Sequence, residues 1–236
     1  RTFGSYAHAI EECLTSNTKL VVAQHSFGIP CEIDRISSVC RAKGIFLLED
    51  CALALGSRLK DQNVGTFGDA AIFSTDHSKP INTISGGLIY SDNSMIIDKI
   101  RTIQKTCDYL PVNKEKALWM QFRVERAFAK PGVYGVLSLY NVILGIINKN
   151  LGVPSPFLNE DTSDIVEDIS YPYPSKLPAF AGLLGIYELE RWKLVVRQRR
   201  DALDYYNTEL LKSSLVKFVP KIYSDSSRYI IPLRFV

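Results

Sequence analysis

Apolar and polar positions alternate along the first hundred residues in a strand–helix–strand rhythm. Residues 1–19 read as a helix ending near Ser16-Asn17-Thr18. Leu20 to Ala23 is a short apolar run that reads as a buried strand and leads into a turn at Gly28-Ile29-Pro30. Between Glu32 and Lys43, Ile33, Ile36, Val39 and Cys40 recur at helical spacing, and Gly44 fits the residue that stops such a helix. Ile45 to Leu48 is a continuous apolar run, the pattern of a strand covered on both faces. Two such strands around one helix predict a parallel βαβ unit. Turns follow at Asp61–Asn63 and Gly65–Asp69, then a buried strand at Ala70–Ser74 and a further one in Gly86–Asp92.

From about Asp98 the pattern turns helical and charged, to about Lys130. Pro131-Gly132 then opens an apolar stretch, Val133 to Ile147, of 15 residues. A membrane-spanning helix takes about 20, so a buried or dimer-facing helix is expected, with contact to a membrane surface as the minor alternative. Residues 151–176 read as an irregular connection, 177–211 as a long helical segment with a bend and a small-residue face at Ala179, Ala181, Gly182 and Gly185. A new β-containing unit begins near Val216. The organisation expected is a large α/β domain over 1–100, a helical insertion and connection over 101–176, and a long helix opening a small C-terminal α+β domain over 177–236. The first residue is not Met and the last residues resemble a strand in mid-course, so both ends are expected to be cut from a longer chain.

Composition narrows the classes. The 236 residues are 46% hydrophobic and 22% charged, ordinary for a globular chain. A net charge of +3 without a basic stripe argues against nucleic acid. Five cysteines with no C-x-x-C pair suggest neither a disulfide framework nor a zinc site, and fit buried thiols in a reducing, cytoplasmic setting. None of the three histidines, His8, His25 and His77, has metal-ligand spacing, and no metal is expected.

Two polar residues stand where apolar strands end, and a lysine follows the second. Asp50 follows the 45–48 run, where ligands of open α/β sheets bind, although an aspartate there can equally cap a helix. Ser74 ends the next strand and can bind a phosphate or satisfy its own backbone. Lys79 lies five residues beyond Ser74 and 29 beyond Asp50. Alone it reads as a solvated surface amine. Together the three match what pyridoxal phosphate requires: a lysine for a Schiff base, an acid for the pyridinium nitrogen, and a donor for the phosphate.

The stretch Leu47–Asn93, LLEDCALALGSRLKDQNVGTFGDAAIFSTDHSKPINTISGGLIYSDN, resembles the core of the DegT/DnrJ/EryC1/StrS sugar aminotransferases. The shared elements are an E-D pair, V-G-x-F-G-D, F-S with a lysine five residues after the serine, and G-G. The resemblance extends upstream to VVAQHSFGIPCEIDRI and downstream to AGLLGIYELERW. It implies a fold-type I α/β enzyme with a mostly parallel sheet flanked by helices, plus part of a small C-terminal domain. It also implies a homodimer that uses pyridoxal 5'-phosphate to move an amino group, typically from glutamate, to a nucleotide-linked keto-sugar. By resemblance Lys79 is the Schiff-base lysine, Asp50 the pyridinium partner and Ser74 a phosphate ligand. His25 would stand near the cofactor ring or substrate, or else be a satisfied strand-end histidine; His77 would tune Lys79 at the cofactor or hold its loop; and Gly86 and Gly87 would let backbone approach the cofactor or a neighbouring strand closely. The chain departs from the family at Leu53, where glutamine or histidine is usual, and near Pro174–Lys176, where only the basic character of an asparagine-tyrosine-arginine element survives. Related dehydratases carry histidine in place of the lysine, so Lys79 argues for the transaminase. A non-catalytic homologue that binds or regulates is the rival of another class.

Overall fold

A computed structural model of the chain describes residues 3–76, 79–128, 174–212 and 227–232. The apolar stretch 133–147 lies outside these residues, as do His77 and the expected β-unit start at Val216. Two compact units are formed, one by Arg1–Ile103 with Leu183–Val236, the other by Gln104–Gly182.

The first unit is built on a four-stranded sheet. Helix α1 (Ala7–Cys13) precedes β1 (Leu20–Gln24), and α2 (Ile33–Lys43) connects β1 to β2 (Phe46–Asp50). Two short strands, β3 (Arg58–Leu59) and β4 (Gln62–Asn63), precede β5 (Ala70–Ser74) and β6 (Gly87–Tyr90). The order is β1-β2-β5-β6. β1, β2 and β5 run parallel, in register Gln24 to Asp50 to Ile72, whereas β6 returns antiparallel to β5. This is the expected α/β class with a mostly parallel sheet.

Helical spacing explains α2: Ile33, Ile36, Ser37 and Cys40 are its buried positions, falling at i, i+3, i+4 and i+7. Its end is set by Gly44 at φ 63°, a left-handed conformation that glycine adopts without steric cost. The α2 face packs with Val21, Ala23, Leu47 and Leu59 into the main core. Alternation along the strands then divides the residues between two faces. Val21, Ala23, His25, Leu47 and Glu49 point into this core, while Leu20, Val22, Gln24, Phe46, Leu48 and Asp50 point the other way.

Two expectations are corrected here. The 45–48 run is covered on one face only, since Phe46 is 37% exposed and its register partner Leu20 is 49% exposed. The strand after Gly86 is not buried: β6 is an exposed edge. Among the described residues no helix stands between β5 and β6, and β6 returns antiparallel to β5.

Ser57, fully buried, ties the end of the chain to this sheet. Its hydroxyl donates to Gly28 O (2.7 Å) and accepts from Ile231 N (3.0 Å). Gly28 sits at φ 83° with Ile231 O where a Cβ would be, 2.2 Å away, so a side chain is excluded. β9 (Arg228–Tyr229) pairs with β3, and the guanidinium carbons of Arg58 and Arg200 lie 4.4 and 4.8 Å from the Tyr229 ring centre.

α3 (Ser94–Thr106) follows β6. In the second unit β7 (Asp108–Tyr109) pairs in parallel with β8 (Ser175–Lys176), and the Lys176 ammonium lies 4.5 Å from the Tyr109 ring centre. α4 (Val112–Phe128) sets Trp119 edge-on to Phe180, at 5.3 Å. The segment expected as one bent helix is α5 (Ala179–Glu190) and α6 (Trp192–Lys212), broken at Arg191. Among the described residues no helix is long and apolar enough to cross a membrane.

Candidate active site

The carboxyl ends of three adjacent parallel strands bring Gln24, Asp50 and Ser74 to one edge of the sheet. Gln24 and Asp50 are register partners, and Ser74 lies two residues past the partner of Asp50, about 6–7 Å farther along the strand direction. Parity puts all three on the face turned away from the α1–α2 core. The Asp50 carboxylate accepts from Ala52 N through Oδ1 (3.0 Å) and from Gln24 Nε2 through Oδ2 (3.2 Å). The capping role weighed from the sequence is therefore present in local form, as an aspartate accepting a backbone amide two residues on. Each carboxylate oxygen has a second lone pair, so the group remains able to accept from a ligand N–H.

Ser74 Oγ accepts from Asp76 N (3.3 Å), which leaves the hydroxyl hydrogen to donate. Lys79 follows in the loop between β5 and β6, half-buried, with its backbone N–H donating to Asp76 O (2.9 Å). The loop closes where Gly86, at φ 139°, and Gly87 meet β5: a Cβ on Gly87 would lie 3.0 Å from Phe73 O. For Gly87 the close approach is thus to a neighbouring strand.

His25 does not stand with these residues. It is fully buried on the opposite face, and both ring nitrogens are committed. Nδ1 accepts from Cys31 N (3.1 Å), so Nε2 carries the hydrogen and donates to Glu49 Oε2 (3.1 Å). Neither ring nitrogen is left for a cofactor, so of the two readings weighed from the sequence the geometry matches the satisfied strand-end histidine, a structural brace, and not the cofactor contact. His77 lies outside the described residues.

Glu49 is the residue that the sequence reading missed. Its carboxylate is fully buried and accepts from Gly65 N, Phe67 N and Gly68 N, each at 2.7 Å, besides His25. The adjacent acids of the E-D pair thus face opposite ways: Glu49 fastens the 65–68 loop under the sheet, and Asp50 points out at its rim. Strand parity was the available signal, since Glu49 lies two residues after the core residue Leu47. Gln24 was missed too, and its amide fixes the Asp50 carboxylate from the neighbouring strand.

His25, Glu49 and Cys51 also form a cluster whose ligand atoms lie within 4.8 Å of one another. Its chemistry does not suit a metal ion. The imidazole and carboxylate are already saturated by hydrogen bonds, and burial together with the neighbouring Glu49 charge pushes the Cys51 thiol up, so it keeps its proton. Burial, then Glu49, likewise raises Cys31 to about 12. A separate pocket of about 450 Å³, lined by Lys19, Arg41 and Asp69 among others, lies at the amino ends of β1 and β2, away from Asp50.

The groups at the rim fit pyridoxal phosphate, with an acceptor for a ring N–H in Asp50 and a hydroxyl for a phosphate oxygen in Ser74, and the loop that follows carries the primary amine of Lys79. A 90-residue segment is 37% identical to GDP-perosamine synthase of Escherichia coli O157:H7, covering 38% of this chain and 25% of that protein. A similar segment is 38% identical to GDP-perosamine synthase of Vibrio cholerae, over 38% of this chain and 24% of that one. The chain thus spans about a quarter of the length of these relatives. Among solved structures, the aminotransferase TlmJ from Streptoalloteichus hindustanus superposes with a TM-score of 0.63 at 20% identity, covering 98% of this chain and 49% of that one. The sugar aminotransferase CalS13 from Micromonospora echinospora gives 0.62 at 18% identity, covering 98% and 51%. These likenesses establish the fold. The sequence profile of one family matches residues 1–123, slightly more than half of the chain and inclusive of Gln24, Asp50, Ser74 and Lys79. The chain belongs to the DegT/DnrJ/EryC1/StrS aminotransferase family.

Proposed function

We propose that the full-length protein is a pyridoxal phosphate-dependent transaminase that moves an amino group from an amino acid, glutamate in the first instance, to a nucleotide-linked keto-sugar. The observation that carries the reading is the delivery of Asp50 and Ser74 to one rim by parallel strands, with Lys79 in the loop that leaves the same rim. The names of the relatives point to a GDP-linked sugar. A cytoplasmic homodimer is part of the same proposal.

Pyridoxal phosphate, when bound, supplies an electron sink for a carbon that loses a proton. The protein groups would do the rest. Asp50, held by Gln24 and Ala52 N, would accept the hydrogen bond of the ring N–H and balance its charge. Ser74 would donate to a phosphate oxygen. Lys79 Nζ would be the covalent anchor and the proton carrier, since a primary amine can take up a proton and return it. A dehydratase of similar fold is known in the GDP-4-keto-6-deoxy-D-mannose-3-dehydratase of E. coli, which superposes with a TM-score of 0.55. Lys79 weighs against that reaction.

The test is turnover of the full-length protein with pyridoxal phosphate, glutamate and a GDP-linked keto-deoxysugar. Formation of 2-oxoglutarate and an aminated sugar nucleotide in equal amounts is expected. Binding of both substrates without amine transfer would favour the non-catalytic homologue.

A further inference from the structure

Lys79 rides on a loop, residues 75–86, that is closed at its base by two buried hydroxyl groups. Thr75 and Thr83 are each 3% exposed, and their oxygens lie 2.7 Å apart. Thr83 Oγ1 also lies 3.0 Å from Thr75 O and 3.0 Å from Ser85 O. A carbonyl can only accept. The Thr83 hydrogen is therefore spent on a carbonyl, and the Thr75 hydroxyl donates to the Thr83 oxygen. Backbone bonds reinforce the closure: Thr75 N donates to Gly86 O (3.0 Å) and Thr83 N to Thr75 O (2.8 Å).

The closure holds against strain. Ile84, next to Thr83, has φ 70°, a left-handed conformation that is unusual for a β-branched residue and costs about 1–3 kcal/mol. It is 4% exposed, and its N–H donates to Asn82 Oδ1 at 2.8 Å. Ile81, in the same loop, is 2% exposed. From outside, α5 presses on the same point: a Cβ on Gly185 would lie 3.2 Å from Thr83 Cγ2. Strain held in this way, five residues from Lys79 along the chain, is a reason to look for pre-organisation.

We propose that the Thr75–Thr83 hydroxyl pair is a positioning device that sets the Lys79 amine for covalent capture of the cofactor. The proposal rests on the reading of Lys79 as the cofactor lysine. The capture is a condensation: the Lys79 nitrogen attacks the aldehyde carbon of pyridoxal phosphate, water leaves, and a C=N bond forms. Borohydride then delivers hydride to that carbon and leaves a stable secondary amine.

The experiment uses the full-length protein and its Thr83→Val, Thr83→Ser and Thr75→Val variants. Valine keeps the methyl group against Gly185 and removes the hydroxyl; serine keeps the hydroxyl. At saturating pyridoxal phosphate, the rate of pyridoxyl labelling of the Lys79 peptide after borohydride is read by mass spectrometry, beside the melting temperature and the non-covalent affinity. The expected result is a labelling rate reduced roughly 10–100-fold in Thr83→Val and also reduced in Thr75→Val, with near-normal labelling in Thr83→Ser. Labelling of both valine variants at the normal rate would overturn the proposal. So would a loss in Thr83→Val that Thr83→Ser shares, since that would mark a packing role. An unmodified protein that takes no label at Lys79 overturns the cofactor reading itself, a result distinct from the other two.

Discussion

Replacing Lys79 by alanine in the full-length protein is expected to lower amine transfer by at least 10²–10⁴-fold, the loss that attends removal of a general acid–base group alone. The covalent anchor goes at the same time. The fold should be spared. Lys79 is half-buried, and the bond it gives the loop comes from its backbone N–H to Asp76 O, which alanine keeps. The melting temperature should therefore stay close to that of the parent, while the visible absorbance of the bound cofactor shifts to that of the free aldehyde. Arginine is not a substitute, because the guanidinium stays protonated and can neither condense nor accept a proton. Added ethylamine, a diffusible primary amine, should restore part of the turnover of the alanine variant. Turnover near the parental rate in Lys79→Ala would remove the residue from the mechanism.

Glu49→Gln is expected to lower stability by about 2–6 kcal/mol, from two buried donors left without an acceptor at about 1–3 kcal/mol each. The mechanism is geometric. Oε1 accepts two amides, Phe67 N and Gly68 N, and Oε2 accepts Gly65 N and the His25 Nε2–H. Glutamine must turn an NH2 toward one of these donor pairs in either orientation, so two buried donors lose their acceptor and face another donor. The strain falls on the 65–68 loop, whose amides should exchange with solvent faster than in the parent. Denaturant unfolding with hydrogen exchange at Gly65–Gly68 measures both effects. A change below about 0.5 kcal/mol, the range of a surface substitution, would contradict the role given to Glu49.

Much of the scaffold was legible in the sequence because the local signals agree with one another. The Ile33–Cys40 spacing and Gly44 marked α2, and short apolar runs marked β1, β2 and β5. The direction of β6 was not legible, since an apolar tripeptide, Leu88–Tyr90, after a Gly-Gly pair reads alike in parallel and antiparallel sheets. The exposure of Phe46 and Leu20 was hidden for a similar reason: an uninterrupted apolar run carries no sign of which face is open. Lys79 could be singled out because it follows Ser74 at the spacing of the family pattern, and Asp50 and Ser74 because they are polar residues ending apolar segments. His25 looked the same by that criterion and was misplaced. Its parity with Val21 and Ala23 sends it into the core, and its partner Glu49 shares the parity of Leu47. A period-two count carried one residue past each strand would have separated His25 and Glu49 from Gln24 and Asp50. The closure of the Lys79 loop by Thr75 and Thr83 is a tertiary contact between residues eight apart, and nothing in spacing or composition announces it.

The claim beneath the proposed activity is that Lys79 and Asp50 serve the same ring. A crystal structure of the full-length protein with pyridoxal phosphate measures this directly. The expected result is density continuous between Lys79 Nζ and the cofactor's aldehyde carbon, with an Asp50 oxygen about 2.7–3.0 Å from the ring nitrogen. A cofactor bound elsewhere, or one joined to Lys79 with its ring nitrogen turned away from Asp50, would contradict it.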